Sequence, residues 1–252
     1  MITKKQIQFL TSLQIKKYRN EHGFFIAEGE KIAEYLLSSS YKIESIYATS
    51  EWFKAHEYKY DSSVNLYEIK ANEFERISGL KTPQEVLIVV AIPINQLELN
   101  SLKKGLTLIF DEIKDPGNLG TIIRIADWFG IKNVICSPDS VDVYNPKVIQ
   151  ATMGSFCNVK VSYMLLEELF LWNKFLPVYG TTLIGENIYD CDLKKDALII
   201  FGNESRGINH LLNKFISHEI KILSFNDNLL KAESLNISIA TGIVCSEFRR
   251  RT

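Results

Sequence analysis

Residues 106–136, "LTLIFDEIKDPGNLGTIIRIADWFGIKNVIC", set the architecture of the second half of the chain. They open on an almost continuous apolar run, LTLIF, and turn through Asp115-Pro116-Gly117-Asn118, with Asn118 placed as the cap of a helix. A stretch with helical apolar spacing covers 118–130, and NVIC adds a second short β-branched run. Strands that are apolar on both faces, joined through a helix, predict a parallel sheet covered by helices. One residue does not suit a plain sheet-packing helix. Arg124 sits among Ile122, Ile123, Ile125 and Ala126 near the expected start of the helix, where the macrodipole disfavours a cation and an anionic partner would remove the conflict.

Outward from this stretch the same alternation continues. PVYGTTL, ALIIFG and EIKILSF read as further strands, and helical spacing recurs at about 164–174, 205–215 and 234–250. Ligands of such sheets lie beyond the carboxyl ends of the strands, so chemistry is expected in the loops at those ends. The first ninety residues form a smaller α/β unit: KKQIQFLTSLQIKKYRN and EGEKIAEYLLSS are helical in pattern, IESIYAT and EVLIVVAI strand-like. Between them and the larger unit, PINQLELNSLKKG loses both periodicities. The expected domains are 1–94 and 105–252, with 95–104 a linker.

Composition narrows the function classes. No apolar run approaches the roughly 20 residues of a membrane span, and the N-terminal stretch lacks the apolar core of a secretory signal, so a cytoplasmic protein is expected. Cys136, Cys157, Cys191 and Cys245 stand far apart without a C-x-x-C pair, and His22, His56, His210 and His218 are scattered; no metal is expected. The net charge of -1 does not mark a nucleic-acid binder, but Lys4, Lys5, Lys16, Lys17 and Arg19 near one end and Arg249, Arg250 and Arg251 near the other permit one.

Three loops carry the candidate chemistry. GNLG at 117–120 lacks the spacing of a dinucleotide fingerprint, and no Gly-Lys-Ser/Thr comes after it to make a P-loop. In IIFGNESRG, 199–207, Gly202 and Gly207 allow a ligand close to the backbone, and Glu204 can accept hydrogen bonds from an amine or hydroxyl. In LLKAESLNISIATGIVCSEFRR, 229–250, Ser234 is placed as an N-cap with Asn236 in the first turn.

Together, D-x-x-x-D-P-G-N-x-G-x-x-x-R-x-A, F-G-N-E-x-R-G and E-S-L-N-I-S-I-A closely resemble the three motifs of SpoU-type (TrmH-like) RNA ribose 2'-O-methyltransferases of the SPOUT superfamily, over residues 106–250. KKYRNEHGFFIAEGEKIAEYLL and LKTPQEVLIVV resemble, more loosely, the small ribosomal-protein-like substrate-binding domain often fused in front. The resemblance implies a parallel sheet with a C-terminal trefoil knot, S-adenosylmethionine as cofactor and a homodimer. Arg124, Asn118, Glu204, Ser234 and Asn236 would form the catalytic group, while Phe201, Gly202, Asn203, Gly207, Ile222, Leu223, Leu230 and Leu235 would hold the cofactor. The Ile-Pro-Met-type segment that many relatives carry before the third motif is absent. Lys16, Lys17, Arg19 and Lys31 are the expected RNA contacts of the front domain. Ribosomal RNA is favoured as substrate over transfer RNA, the third possibility being a non-catalytic ribosome-assembly protein on the same fold.

Overall fold

The computed structural model describes residues 2–56, 60–61, 63–94, 97–226 and 232–251. In chain order the elements are α1 (Lys4–Ser12), α2 (Lys16–His22), β1 (Phe24–Glu28), α3 (Glu30–Leu37), β2 (Ile43–Ala48), α4 (Ser50–Ala55), β3 (Asn65–Glu68), α5 (Ala71–Phe74), β4 (Val86–Ala91), β5 (Leu106–Phe110), α6 (Pro116–Trp128), β6 (Asn133–Cys136), α7 (Pro146–Thr152), β7 (Lys160–Tyr163), α8 (Leu166–Trp172), β8 (Val178–Asn187), β9 (Ala197–Phe201), β10 (His218–Lys221) and α9 (Ile237–Arg250). They divide into two compact units, one of residues 1–94 and 142–157, the other of 95–141 and 158–252.

The first unit is built on a four-stranded sheet in the order β1-β4-β2-β3, with β4 antiparallel to both neighbours and β2 parallel to β3. Alternate residues of its strands, Ile26, Tyr47, Leu87 and Val89, pack with Leu10, Leu13, Ile69, Phe74 and Ile77. The helical pattern expected over 4–20 breaks at Leu13–Ile15, where α1 gives way to α2. Phe25 meets Tyr144 with ring centroids 4.7 Å apart and Phe156 at 5.9 Å, so 142–157 completes this unit's core. Gly154, at φ +96°, lies under the Tyr35 ring, which a Cβ there would meet at 2.6 Å. Arg19 is 2% exposed; it donates to the Asp142 carboxylate at 2.6 Å and to the Leu13 carbonyl at 2.9 Å. It is therefore not an RNA contact, because its guanidinium is committed to a buried ion pair whose partner lies 123 residues away. Lys16 and Lys17 are exposed, and Lys31 is exposed beside Glu34 at 3.1 Å.

The second unit holds six parallel strands in the order β10-β8-β9-β5-β6-β7. Every residue of β5, β6 and β9 is buried, as strands covered on both faces require. On one face Ile109, Ile135, Val178, Leu198 and Ile200 pack with Leu166, Leu169 and Phe170 of α8. On the other, Tyr179 meets Phe248 of α9 edge-on at 5.1 Å. Two expectations need correction. Residues 97–104, read as linker, carry a 3-10 helix, Leu99–Lys103, whose Leu102 is fully buried. The helix expected over 205–215 begins at His210 as a 3-10 turn, since the glycine-flanked 202–207 segment closes on itself instead. The C-terminal arginines are engaged within the fold: Arg250 and Arg251 pair with Glu247 at 2.7 Å, Arg251 also donates to the Cys191 and Tyr189 carbonyls, and Arg249 donates to the Phe129 carbonyl at 2.9 Å.

β10 pairs with Tyr179 and Gly180, then jumps register to Glu186 and Asn187. Residues 181–185 are thereby pushed out of the ladder, leaving Leu183 71% and Ile184 85% exposed. From β10 at the sheet edge the chain returns to α9, which runs beside α6 in the same direction. Asn236 bonds Asn118 at one end, Ile125 lies against Gly242, and Arg249 reaches Phe129 at the other.

Candidate active site

Each loop is shaped by its own backbone requirements. After β5, Glu112 adopts φ +66°, uncommon for a long side chain, and its N–H donates to Ser137 Oγ at 2.8 Å. Asp115, not Asn118, caps α6. Its Oδ1 accepts the Asn118 N–H at 2.7 Å, and Pro116 at the first helical position needs no partner for a missing N–H. After β9, Asn203 and Gly207 exchange backbone hydrogen bonds of 3.0 and 2.9 Å, and Asn203 Oδ1 accepts from the N–H groups of Ser205 and Arg206. A Cβ on Gly202 would overlap the Gly207 and Ile208 backbone, so only glycine permits this closure. Asn236, not Ser234, caps α9, its Oδ1 accepting the Ser238 N–H at 2.9 Å.

These requirements bring three side chains from three loops together. Asn118 Nδ2 donates to Glu204 Oε1 at 2.6 Å, and Asn236 Nδ2 donates to Asn118 Oδ1 at 3.0 Å. Because α6 and α9 are parallel, both helix N-termini open at this cluster and set two positive dipole ends beside it. A second tie joins the first two loops: Arg206 pairs with Glu112, which also meets Lys114 at 3.1 Å, and Asn203 Nδ2 donates to the Glu112 carbonyl at 3.1 Å.

A cavity of about 890 Å³ opens against the cluster. Phe201, Ile208, Ile220, Ile237 and Val244 give it apolar walls; Asn203, Glu204, Asn226 and Ser234 bring polar groups. Seven of the eight residues expected at the cofactor line it, Phe201, Gly202, Asn203, Gly207, Ile222, Leu223 and Leu235. Leu230 lies outside the described residues. Thr181, Thr182, Leu183 and Ile184, displaced by the β8 register jump, also line it. No sequence signal marked them, because the jump is set by pairing with β10.

Arg124 does not join the cluster. It stands nine residues into α6, roughly 12 Å along the helix axis, rather than at its N-terminus, so the dipole conflict inferred from sequence disappears. Its side chain is exposed, and no described residue bonds it. Ser234 is exposed at the cavity wall.

Residues 105–246 match the SpoU rRNA Methylase family. The chain belongs to that family. Residues 4–88 match the MRM3-like substrate binding domain. A member of the TrmH family from Porphyromonas gingivalis superposes with a TM-score of 0.90 at 35% identity, each chain covered in full. An AdoMet-bound rRNA methyltransferase from Sinorhizobium meliloti superposes with a TM-score of 0.88 at 26% identity, covering 100% of this chain and 96% of that one. RlmP of Bacillus subtilis, a 23S rRNA (guanosine(2553)-2'-O)-methyltransferase, is 27% identical over 240 residues, 94% of this chain and 93% of its own.

With the family comes the reaction, transfer of a methyl group from S-adenosylmethionine to a ribose 2'-hydroxyl of RNA. The cavity suits that cofactor. Its volume falls within the range of small-molecule sites, its apolar walls can cover an adenine ring, and Glu204 and Glu233 at its lining offer negative charge to the ammonium and sulfonium.

Proposed function

We propose that the protein methylates a structured segment of ribosomal RNA as a homodimer in the cytoplasm, with Arg124 gripping a phosphate of the target strand. The observation that carries this is the junction of Asn118, Glu204 and Asn236, whose Glu204 also lines the cavity. With one residue from each motif in contact, it supports the reading that a ribose meets the methyl donor there. A trefoil knot in the second unit belongs to the same proposal.

Residues 201–208, 222–224, 226 and 232–235, with Thr181 and Thr182, would hold S-adenosylmethionine, which would supply a methyl group already activated on a sulfonium. The protein's part is alignment, since in-line displacement gains most from holding the reacting atoms at near-attack distance. Glu204 Oε1 accepts from Asn118, and no described residue bonds Oε2, which leaves it open to the 2'-hydroxyl. Arg124 does not take the hydroxyl proton, because a guanidinium stays protonated at neutral pH. Its planar fork suits bidentate capture of a phosphate of the strand that passes the third turn of α6.

A partner subunit is supported by the apolar groups left open on the paired helices: Trp128 of α6 is 86% exposed and Ile239 of α9 56%. Lys16, Lys17 and Lys31 remain available on the first unit for phosphates. Ribosomal RNA is favoured by RlmP, which acts on 23S rRNA, and by the match of residues 4–88. The test is incubation with methyl-labelled S-adenosylmethionine and, separately, unmodified ribosomal RNA and transfer RNA, with digestion to nucleosides afterwards. A labelled 2'-O-methyl nucleoside from ribosomal RNA alone is expected. Label from transfer RNA alone would overturn the substrate assignment.

A further inference from the structure

The first unit holds a second cleft, of about 300 Å³, that methyl transfer does not use. Ile26, Glu28 and the 79–80 turn form one side, and Pro146, Lys147, Ile149, Gln150 and Ala151 the other. Glu28 is the unusual member. It ends a strand whose other inner positions are apolar, and it is 5% exposed. Its carboxylate accepts from Ser78 Oγ at 2.5 Å and from the Gly79 N–H at 2.9 Å, and no cation among the described residues pairs with it. A carboxylate offers about four lone-pair sites, so one on each oxygen remains unfilled. A buried negative charge without a counter-ion is costly unless further donors meet it.

We propose that this cleft takes one unstacked guanine of the RNA, with its N1–H and N2 amino group donating side by side to the two Glu28 oxygens. Guanine alone among the four bases presents two adjacent donors on its Watson–Crick edge. In adenine and cytosine the amino group stands beside an acceptor nitrogen that would face the carboxylate, and in uracil a single N–H lies between two carbonyls. Half-buried Leu80 on one side and Pro146 on the other can cover the faces of the ring, with buried Ile26 and Ile149 beneath. Lys147, exposed at the rim, suits the O6 and N7 acceptors. Reading a splayed-out base by its Watson–Crick edge is how proteins commonly read RNA sequence. The proposal rests on the first unit being the part that captures RNA.

The experiment is titration of the full chain with 5'-GMP, AMP, CMP and UMP, with the cofactor site filled by S-adenosylhomocysteine. GMP is expected to bind about tenfold or more tightly than the others. Glu28→Gln keeps the Gly79 N–H contact on its oxygen, and its amide nitrogen can donate to Ser78 Oγ once that hydroxyl turns round, but it removes the charge and one acceptor and is expected to abolish the preference. Ala151→Met, which fills the cleft with a flexible side chain, is expected to abolish binding. Equal affinity for the four nucleotides, or a preference that survives in Glu28→Gln, overturns the proposal, as does tighter binding of N-acetylarginine amide, which would give the cleft to a protein side chain. Lys16→Ala/Lys17→Ala separates the two failures. Unchanged RNA affinity in that variant removes the first unit's capture role, whereas reduced affinity without a GMP preference removes the guanine cleft alone.

Discussion

Replacing Asn118 with aspartate changes a single atom of the cluster, turning Nδ2, the donor to Glu204, into an acceptor. The contact from Asn236 and the Asp115 cap are untouched. The lost hydrogen bond ends on a carboxylate and is worth about 1.5–3 kcal/mol. Two carboxylate oxygens would also meet where 2.6 Å now separates donor and acceptor. At about 3 Å their repulsion runs from roughly 1.5 to 5.5 kcal/mol between the dielectric of water and that of a protein surface. Glu204 is exposed and can swing away, so a net cost of about 2–4 kcal/mol is expected for the closed cluster. If methyl transfer needs that cluster, kcat/KM for RNA falls roughly 30- to 1000-fold at pH 7. Asn118→Asp/Glu204→Gln restores a donor, from the new amide to the new carboxylate, and should recover much of the loss in a double-mutant cycle. The assay is label incorporation into RNA at pH 7 for the four proteins. An Asn118→Asp enzyme within about threefold of wild type at pH 7, or a double variant no better than Asn118→Asp, refutes the reasoning.

Arg124→Lys keeps the charge but loses the fork; it should lose most methyl transfer while calorimetric affinity for S-adenosylmethionine stays within about twofold. Gly202→Ala forces the 202–207 closure apart, a strain of about 1–3 kcal/mol, and should weaken S-adenosylmethionine binding roughly tenfold or more by the same calorimetry. Arg250 and Arg251 hold the Glu247 carboxyl down to about 2 from 4.5, so the stability it contributes is complete above pH 4.5 and is lost as pH falls toward 2. That shift corresponds to about 3 kcal/mol, reduced to roughly 1–2 by solvent around Arg250, which is 65% exposed. Glu247→Gln should therefore melt below wild type at pH 7, with the gap more than halved by pH 3; a pH-independent gap would show that the ion pair is not its source. Burial pushes the Cys136 and Cys245 thiols up to about 12 and Cys191 up to about 11, so in the native protein a thiol reagent should label Cys157 alone, as read by peptide mass.

What could be read without coordinates was the part governed by short-range pattern. LTLIF, NVIC and ALIIF are apolar at nearly every position, and that marks a strand buried on both faces whatever its neighbours. The loops were legible for the same reason, as each directly adjoins such an element. β7 escaped because Lys160–Tyr163 buries only Val161. The cap positions shifted by a few residues: Asp115-Pro116 is itself a good helix start, and counting from it moves Arg124 into the third turn. Arg19 looked like a free cation because its neighbours in sequence carry no acid, while its partner, Asp142, arrives from far along the chain. The β8 register jump that brings Thr181–Ile184 to the cavity depends on a strand formed more than thirty residues later, so no local pattern could carry it.

The first unit is not contiguous, and that orders events during synthesis. Phe25, Tyr35 and Tyr41 leave the ribosome early, but the surfaces that cover them, Tyr144, Gly154 and Phe156, emerge only after residues 95–141 have been made. At about 5–20 residues per second, the stretch from 95 to 157 takes roughly 3–13 s. For that interval the nascent chain shows an aromatic face and an unpaired Arg19, a substrate for chaperones. A fragment ending near residue 94 would stay in that state permanently.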